Sequence, residues 1–340
     1  MSADLQTTSF QEVVDILNRE YIDPLESIDG TMIDSGIVRV EVAPQESGGQ
    51  RRMKEVIQTD EYANYKPEGG QLTQARLATG YSKDLFSRPI GKQLTVSIEF
   101  RTLGKNRKEL FNNLTNLAHF CKNRRDLDLS MFISFGQSTS YTDLDGNAID
   151  ISTGDGLAPF SGVHTLTQST TTYRNILTPG SALSVSALEQ MEQLGITESY
   201  NNFGEQMALS FNKLFTTDNP SQINIAREIL QSTAKISAPN AGVENVYEGK
   251  YEHIILKRID MNQYGVKDTN KRKYWGLISE KDFTLCNVIF VNQIITSPQM
   301  GNNGENIDTM DWTFDAYMNY GSCMVVGRGI LFSPGDGSVS

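Results

Sequence analysis

Histidine and cysteine are scarce in this chain: three of each in 340 residues, with only two tryptophans. Cys121, Cys286 and Cys323 stand singly, without a CxxC pair. That spacing excludes a zinc ribbon and a thioredoxin-like centre, and an odd, sparse count fits a reducing compartment. His119, His164 and His253 fall in no HExxH or paired-ligand spacing. His119 and Cys121, two apart on an expected helix, point to different faces and make no catalytic pair. A Walker phosphate loop, a GxGxxG and a GxSxG nucleophile elbow are missing as well. No catalytic, cofactor-binding or metal residue is therefore assigned, no cofactor is expected, and the chain reads as no enzyme. An unrecognised hydrolase stays open, because active sites assemble from scattered residues. No stretch of ~18 apolar residues appears, and no basic head precedes an apolar run. The expectation is a chain without a membrane span or signal peptide, kept or assembled in the cytoplasm.

What is present is a globular composition, 38% hydrophobic and 21% charged, with 15 Phe and 13 Tyr. The length suffices for one large domain or two ordinary ones. The net charge of −11 is unevenly spread. Residues 1–46 hold ten acidic and two basic side chains (Arg19 and Arg39), a balance of −8. Residues 51–125 hold 15 basic and seven acidic, a balance of +8, and 126–340 return to −11. An acidic segment beside a basic one suggests complementary surfaces; two solvated faces that never meet would look the same. The basic stretch lacks regularly interleaved aromatics, so dedicated nucleic-acid recognition has little support.

Phe10, Val13, Val14 and Leu17 recur at helical spacing after a capping Ser9. IVRVEVAP at 37–44 alternates like a strand, so residues 1–50 read as an arm with little core of its own. Residues 53–100 read as a long β-hairpin, punctuated at KPEGGQ (66–71) and returning through SRPIGKQLTVSIEF. Much of it is polar, and a two-stranded ribbon is marginal alone in water, so it needs a surface to lie on. Residues 104–128 are the clearest helix, with Leu110, Leu114, Leu117, Ala118 and Cys121 on one stripe and Arg124 and Arg125 near its end. MFISFG (131–136) then reads as a strand. Helices are expected over 181–195, ending at Gly195, and over 219–233, with Pro220 in the first turn. Strand-like runs follow at 251–259, 273–278 and 285–295, and an extended β stretch closes the chain.

Two carboxylate groupings invite a metal. Asp143, Asp145 and Asn147 alternate, but Gly146 is misplaced for a calcium loop and no Glu closes it. Asp145-Gly146 is instead a hairpin signal. Asp308, Asp311 and Asp315 would not all share one strand face and read as solvated.

The order of parts (acidic arm, long polar hairpin, long helix, mixed remainder) resembles the major capsid protein of tailed bacteriophages, and in detail the Mu-like major head subunits. The similar residues are Asp155, Gly156, Phe160, Ser161 and His164 in DGLAPFSGVHTL, with Thr165 where that pattern has Pro. AREILQST (226–233), NVYEGKYEHIIL (245–256), YWGLI (274–278) and the closing Arg328-Gly329 add to it. The resemblance runs from about residue 53 to the end.

It implies an α+β tailed-phage major capsid fold. Its parts would be an N-terminal arm (1–50), an extended loop (51–100) and a peripheral domain (101–205) with a spine helix at about 104–128. An axial domain (206–306) and C-terminal strands returning to the peripheral domain (307–340) would complete it. It implies self-assembly into the hexamers and pentamers of an icosahedral shell enclosing double-stranded DNA without sequence-specific binding. It implies residence in the virion after assembly in the host cytoplasm. Separate scaffolding, portal and decoration proteins are the partners it suggests, with no fused scaffolding segment. His164 is expected in core packing or a turn hydrogen bond. Lys66, Lys83 and Lys92 lie in the loop, and no crosslink is expected of them. An encapsulin-like compartment shell is the nearest alternative, and a tail-tube or decoration protein a more distant one.

Overall fold

The computed structural model describes residues 32–44, 48–97, 99, 107–233, 244–296 and 311–336. In chain order the elements are β1 (Arg39–Val42), β2 (Gln50–Lys54), β3 (Gln58–Thr59), β4 (Leu77–Ala78), β5 (Ser82–Phe86), β6 (Arg88–Val96), α1 (Arg107–Ser134), β7 (Ser140–Thr142) and β8 (Ala148–Asp150). Then come α2 (Val185–Thr197), β9 (Lys213–Thr216), α3 (Pro220–Gln231), β10 (Glu252–Ile255), β11 (Trp275–Ile278), β12 (Leu285–Thr296), β13 (Trp312–Met324) and β14 (Ile330–Ser333). Helices and strands come in runs, and the architecture is α+β. One four-stranded sheet has the order β1-β12-β13-β6, with β1 parallel to β12, and α1 packs against it. The second has the order β10-β9-β11-β14.

In the second sheet β9, β11 and β14 are buried on both faces, which explains the apolar runs of β11 and β14. Leu214, Trp275, Leu277 and Leu331 point to a core shared with Leu188 and Met191 of α2 and Ile229 of α3. Their chain neighbours Phe215, Ile278 and Phe332 point the other way, into a core with Met131 and Ile133 of α1. Gly276 pairs with Phe215 on one side and Phe332 on the other. A Cβ there would sit 2.7 Å from the Phe215 ring, so only glycine admits that ring.

Several expectations need correction. MFISFG is no strand: α1 continues through Ser134, and Met131, Phe132, Ile133 and Ser134 are all buried. A helix end buried all round has no polar face, and a short apolar run then looks the same as a strand. Arg124 and Arg125 consequently lie inside the helix, which has no basic residue in its last turn. Of the expected stripe, Leu117 and Cys121 are buried; the side chains of Leu110, Leu114 and Ala118 lie outside the described set. Gly195 does not end α2, which runs on to Thr197. It is a close-packing position, where a Cβ would meet the Phe211 ring at 2.7 Å and Leu331 Cδ1 at 3.0 Å.

The hairpin spans less than expected. β2 pairs with β5 and β3 with β4, whereas β6 leaves to pair with β13. The body also begins earlier than the expected arm boundary. Met32, Ile37 and Val38 are in the main core, and β1 lies beside β12. Two expected segments exchange strands: β12 joins β1 and β13, while β14 joins β11.

Other readings agree with the structure. Asn219 caps α3 with Pro220 in its first turn. β7 and β8 form the hairpin around Asp145-Gly146, with Gly146 at φ +86°. The helix expected over Phe10–Leu17 lies outside the described residues.

Candidate functional site

The base of the hairpin is set into the body by apolar contacts. Met53 and Leu85 are buried with Leu166, Tyr173, Val288, Cys323 and Val325. Gly321 of β13 makes room, since a Cβ there would meet the Phe86 carbonyl at 2.6 Å. Gly154 does the same beneath Tyr81, at 2.8 Å.

Around this base runs a collar of polar contacts. Arg328 Nη1 donates to Glu55 Oε1 at 2.8 Å, and both side chains are only 7% exposed. Its Nη2 donates to Asn202 Oδ1 at 2.6 Å. Glu55 Oε2 in turn accepts from the Tyr81 backbone at 3.0 Å, on the opposite arm of the hairpin. Gln58 Oε1 accepts from Asn202 N at 2.8 Å. Lys83 pairs with Asp150 at 3.2 Å, and the Tyr81 and Thr165 hydroxyls share a hydrogen bond of 2.7 Å. Farther out, Glu205 accepts from Glu61 N at 2.8 Å and from Arg76 at 3.2 Å, and Arg76 lies 4.6 Å over the Phe203 ring.

The two motifs quoted from the sequence meet at this collar. His164 Nδ1 is 2.9 Å from Asp155 Oδ2, and the ring is fully buried. Burial pushes the Asp155 carboxyl up, but hydrogen bonds from His164 and Thr153 outweigh it and bring it to about 2. A carboxylate only accepts, so Nδ1 carries the proton. Tyr173 stacks on His164 at 5.0 Å between centroids, and the Arg328 guanidinium is 5.7 Å from the same Tyr173 ring. Phe160 stacks on Phe332 at 4.2 Å. Asn175, buried, accepts from Ser161 N and donates to the carbonyls of Pro159 and Gly327. Gly329 has φ +80° and lies against the backbone of Asp282 and Phe283. Sequence reasoning missed Glu55, Tyr173, Asn175 and Asn202; no local signal marks them, because their partners are distant in sequence.

Beyond the collar the hairpin is uncovered. Val56, Ile57, Tyr62, Tyr65, Leu72, Leu77 and Phe86 are all exposed, Tyr65 completely. Such a concentration of large apolar side chains on one projection marks an interaction surface. Burying each fully would stabilise a complex by ~1.5–3 kcal/mol. A cleft of about 580 Å³ lies elsewhere on the body, between Ser87–Lys92 of the β6 side, Phe120 and Arg124 of α1, and Asp143–Asp145 of the β7–β8 turn.

The residues with chemical potential are otherwise engaged. Burial pushes the thiols of Cys121 and Cys286 up to about 11 and that of Cys323 to about 12, which keeps them protonated. His253 Nε2 is 2.9 Å from the Thr216 hydroxyl, but Thr216 is wholly buried and out of a substrate's reach. Asp143 Oδ1 accepts from the backbone of Asp145 and Asn147 in the β7–β8 turn. Asp311 and Asp315 are described and Asp308 is not. Among the described residues no group of three His, Cys, Asp or Glu could hold a metal. No described helix is long and apolar enough to cross a membrane. The charge partition is partly internal, since Glu41 pairs with Arg51 of the same chain.

No family model and no curated protein matches the chain. Among solved structures it is similar to the capsid of Myoviridae phage XM1, at 10% identity and TM-score 0.49, over 94% of this chain and 97% of that one. The capsid of cyanophage P-SCSP1u is similar at 11% identity and TM-score 0.48, over 90% and 89%. A virus-like particle from Pyrococcus furiosus is similar at 12% identity and TM-score 0.45, over 95% and 98%.

Proposed function

We infer that this chain is a shell-forming subunit, the major capsid protein of a tailed bacteriophage, with a sequence pattern that resembles the Mu-like head subunits. The observation that carries the reading is the hairpin, anchored firmly at its base and apolar and uncovered beyond it. A projection of that kind is stable in water only against a neighbour. The ordered motifs from Asp155 to Gly329 support the same reading. In it, copies of the chain associate into hexamers and pentamers of a closed shell around double-stranded DNA, without reading its sequence. The body under α1 serves as peripheral domain and the β9–β11 region as axial domain. Scaffolding, portal and decoration proteins are separate partners, and the shell assembles in the host cytoplasm.

The acidic residues of segment 1–46 that precede Met32 meet exposed basic residues of a neighbour, such as Arg52, Lys54 and Lys92. Attraction between exposed opposite charges is screened by salt. Electron microscopy of the purified chain tests the main reading. Closed shells or flat hexamers are expected, and a clean monomer at high concentration would sink it. The docking idea fails if assembly yield is the same at low and high salt and after reversal of several acidic residues.

A further inference from the structure

We propose that Arg328 is a positioning residue: through Glu55 and Asn202 it pins the angle at which the hairpin leaves the body. The geometry is that of a clamp at the foot of a lever. Glu55 lies one residue beyond β2 and Arg328 two before β14, and they are 273 residues apart in sequence. Between them the pair ties three parts that are distant in sequence. Glu55 holds both arms of the hairpin, since its backbone and side chain also bond to Tyr81. Arg328 belongs to the strand connection that carries the core, and Asn202 to the turn under Gln58. The Tyr173 ring backs the guanidinium, so the fork is held from its face as well as its edge.

The lever makes a small change at the foot large at the tip. From Glu55 to the turn at Pro67–Gly70 is about 13 residues, at most ~45 Å of extended chain. A swing of roughly 10° at the base would carry the tip by at most about 8 Å, against ~4 Å for a side-chain contact. The outer tie through Arg76 is a weaker restraint. Its side chain is 61% exposed, and exposed ion pairs hold little. A desolvated guanidinium held at two points, by Glu55 and by Asn202, is the stiffer element, and lysine cannot reproduce that grip.

Paired spin labels on the full chain test this. Glu68→Cys at the tip and Lys281→Cys on the body form the reporting pair; Lys281→Cys with Glu189→Cys forms a pair within the body. The three native thiols are buried and label slowly. Labelled chain is diluted into excess unlabelled chain, so only distances within one molecule are read. Glu55→Gln, Arg328→Lys and Arg328→Gln should each at least double the width of the tip-to-body distance distribution. They should leave the body pair unchanged, and Arg76→Ala should leave both unchanged. The proposal is overturned if the tip distribution keeps its width in Glu55→Gln and Arg328→Gln. It is overturned equally if the body pair broadens as much as the tip pair, or if Arg76→Ala broadens the tip as much as they do. The measurement needs no shell, so its failure is distinct from failure of the capsid reading. A consequence that does rest on that reading is a spread of shell diameters in the same variants.

Discussion

From Trp275 to Ile278 every side chain of β11 is buried, whereas from Val56 to Leu77 of the hairpin almost none is. Both carry large apolar residues, although between Val56 and Leu77 only Gln58–Thr59 and Leu77 are strand. The difference is where the covering surface comes from. β11 lies between β9 and β14 with helices on one face and α1 on the other, so its partners are all in the same molecule. The hairpin has its own chain only at the foot. Stability of the monomer should therefore reside in the first region and association in the second, and substitutions can separate the two.

The largest expected effect on stability lies in β11. Trp275 is wholly buried, and its indole N–H donates to the Ser181 carbonyl at 2.8 Å. Trp275→Ala should lower the unfolding free energy by ~3–5 kcal/mol, read from denaturant titration. A loss under ~1 kcal/mol would mean the sheet between the two cores is not what holds the body together.

At the meeting of sheet and hairpin stands Asp155. Its carboxyl is held at about 2, below its ordinary value of 3.8. A carboxyl depressed in the folded state contributes stability above the unfolded pKa and loses it as pH falls through the folded one. Asp155→Asn should thus cost about 2 kcal/mol at pH 7, and the deficit should shrink between about pH 4 and pH 2. Denaturant titrations of both proteins across that range check it; a deficit constant with pH would show that the carboxylate charge is not what His164 recognises.

Gly195→Ala pits helix propensity against packing. Alanine favours a helix by ~1 kcal/mol, while overpacking against Phe211 and Leu331 costs ~1–3 kcal/mol. Net destabilisation of about 1 kcal/mol is expected in thermal or denaturant unfolding. A stabilised variant would mean Phe211 yields freely.

How much of this was legible in the sequence follows from the range of each interaction. Local chemistry was readable: Asp145-Gly146, Pro220 after its cap, and the break at Pro67–Gly70 all appear where turn and cap residues put them. Periodicity failed where burial is two-sided. Met131–Ser134 is helix and Trp275–Ile278 strand, yet both are short apolar runs without a polar face. Gly195 read as a helix stop because its reason, the Phe211 ring, comes from another segment. In the site, Asp155 and His164 are nine residues apart and stood out together as a pattern. Glu55 and Arg328 are 273 apart, and nothing near either one foretells the other.

The smallest effect on stability should come from the hairpin tip, and there the comparison is sharpest. Tyr65 and Leu72 are exposed and contribute no core contact. Tyr65→Ser and Leu72→Ser should leave unfolding within about 0.5 kcal/mol of the parent. The same changes remove apolar area that only a neighbour would bury, so shells seen by electron microscopy should fall sharply in yield or need higher concentration to form. A shell repeats each contact in every copy, and a loss of ~1.4 kcal/mol at one contact is already tenfold in its association constant. Unchanged stability together with unchanged assembly would place the intersubunit contacts elsewhere, on the cleft beside β6 or the acidic segment. Lost stability would mean that the tip already has a partner within its own chain.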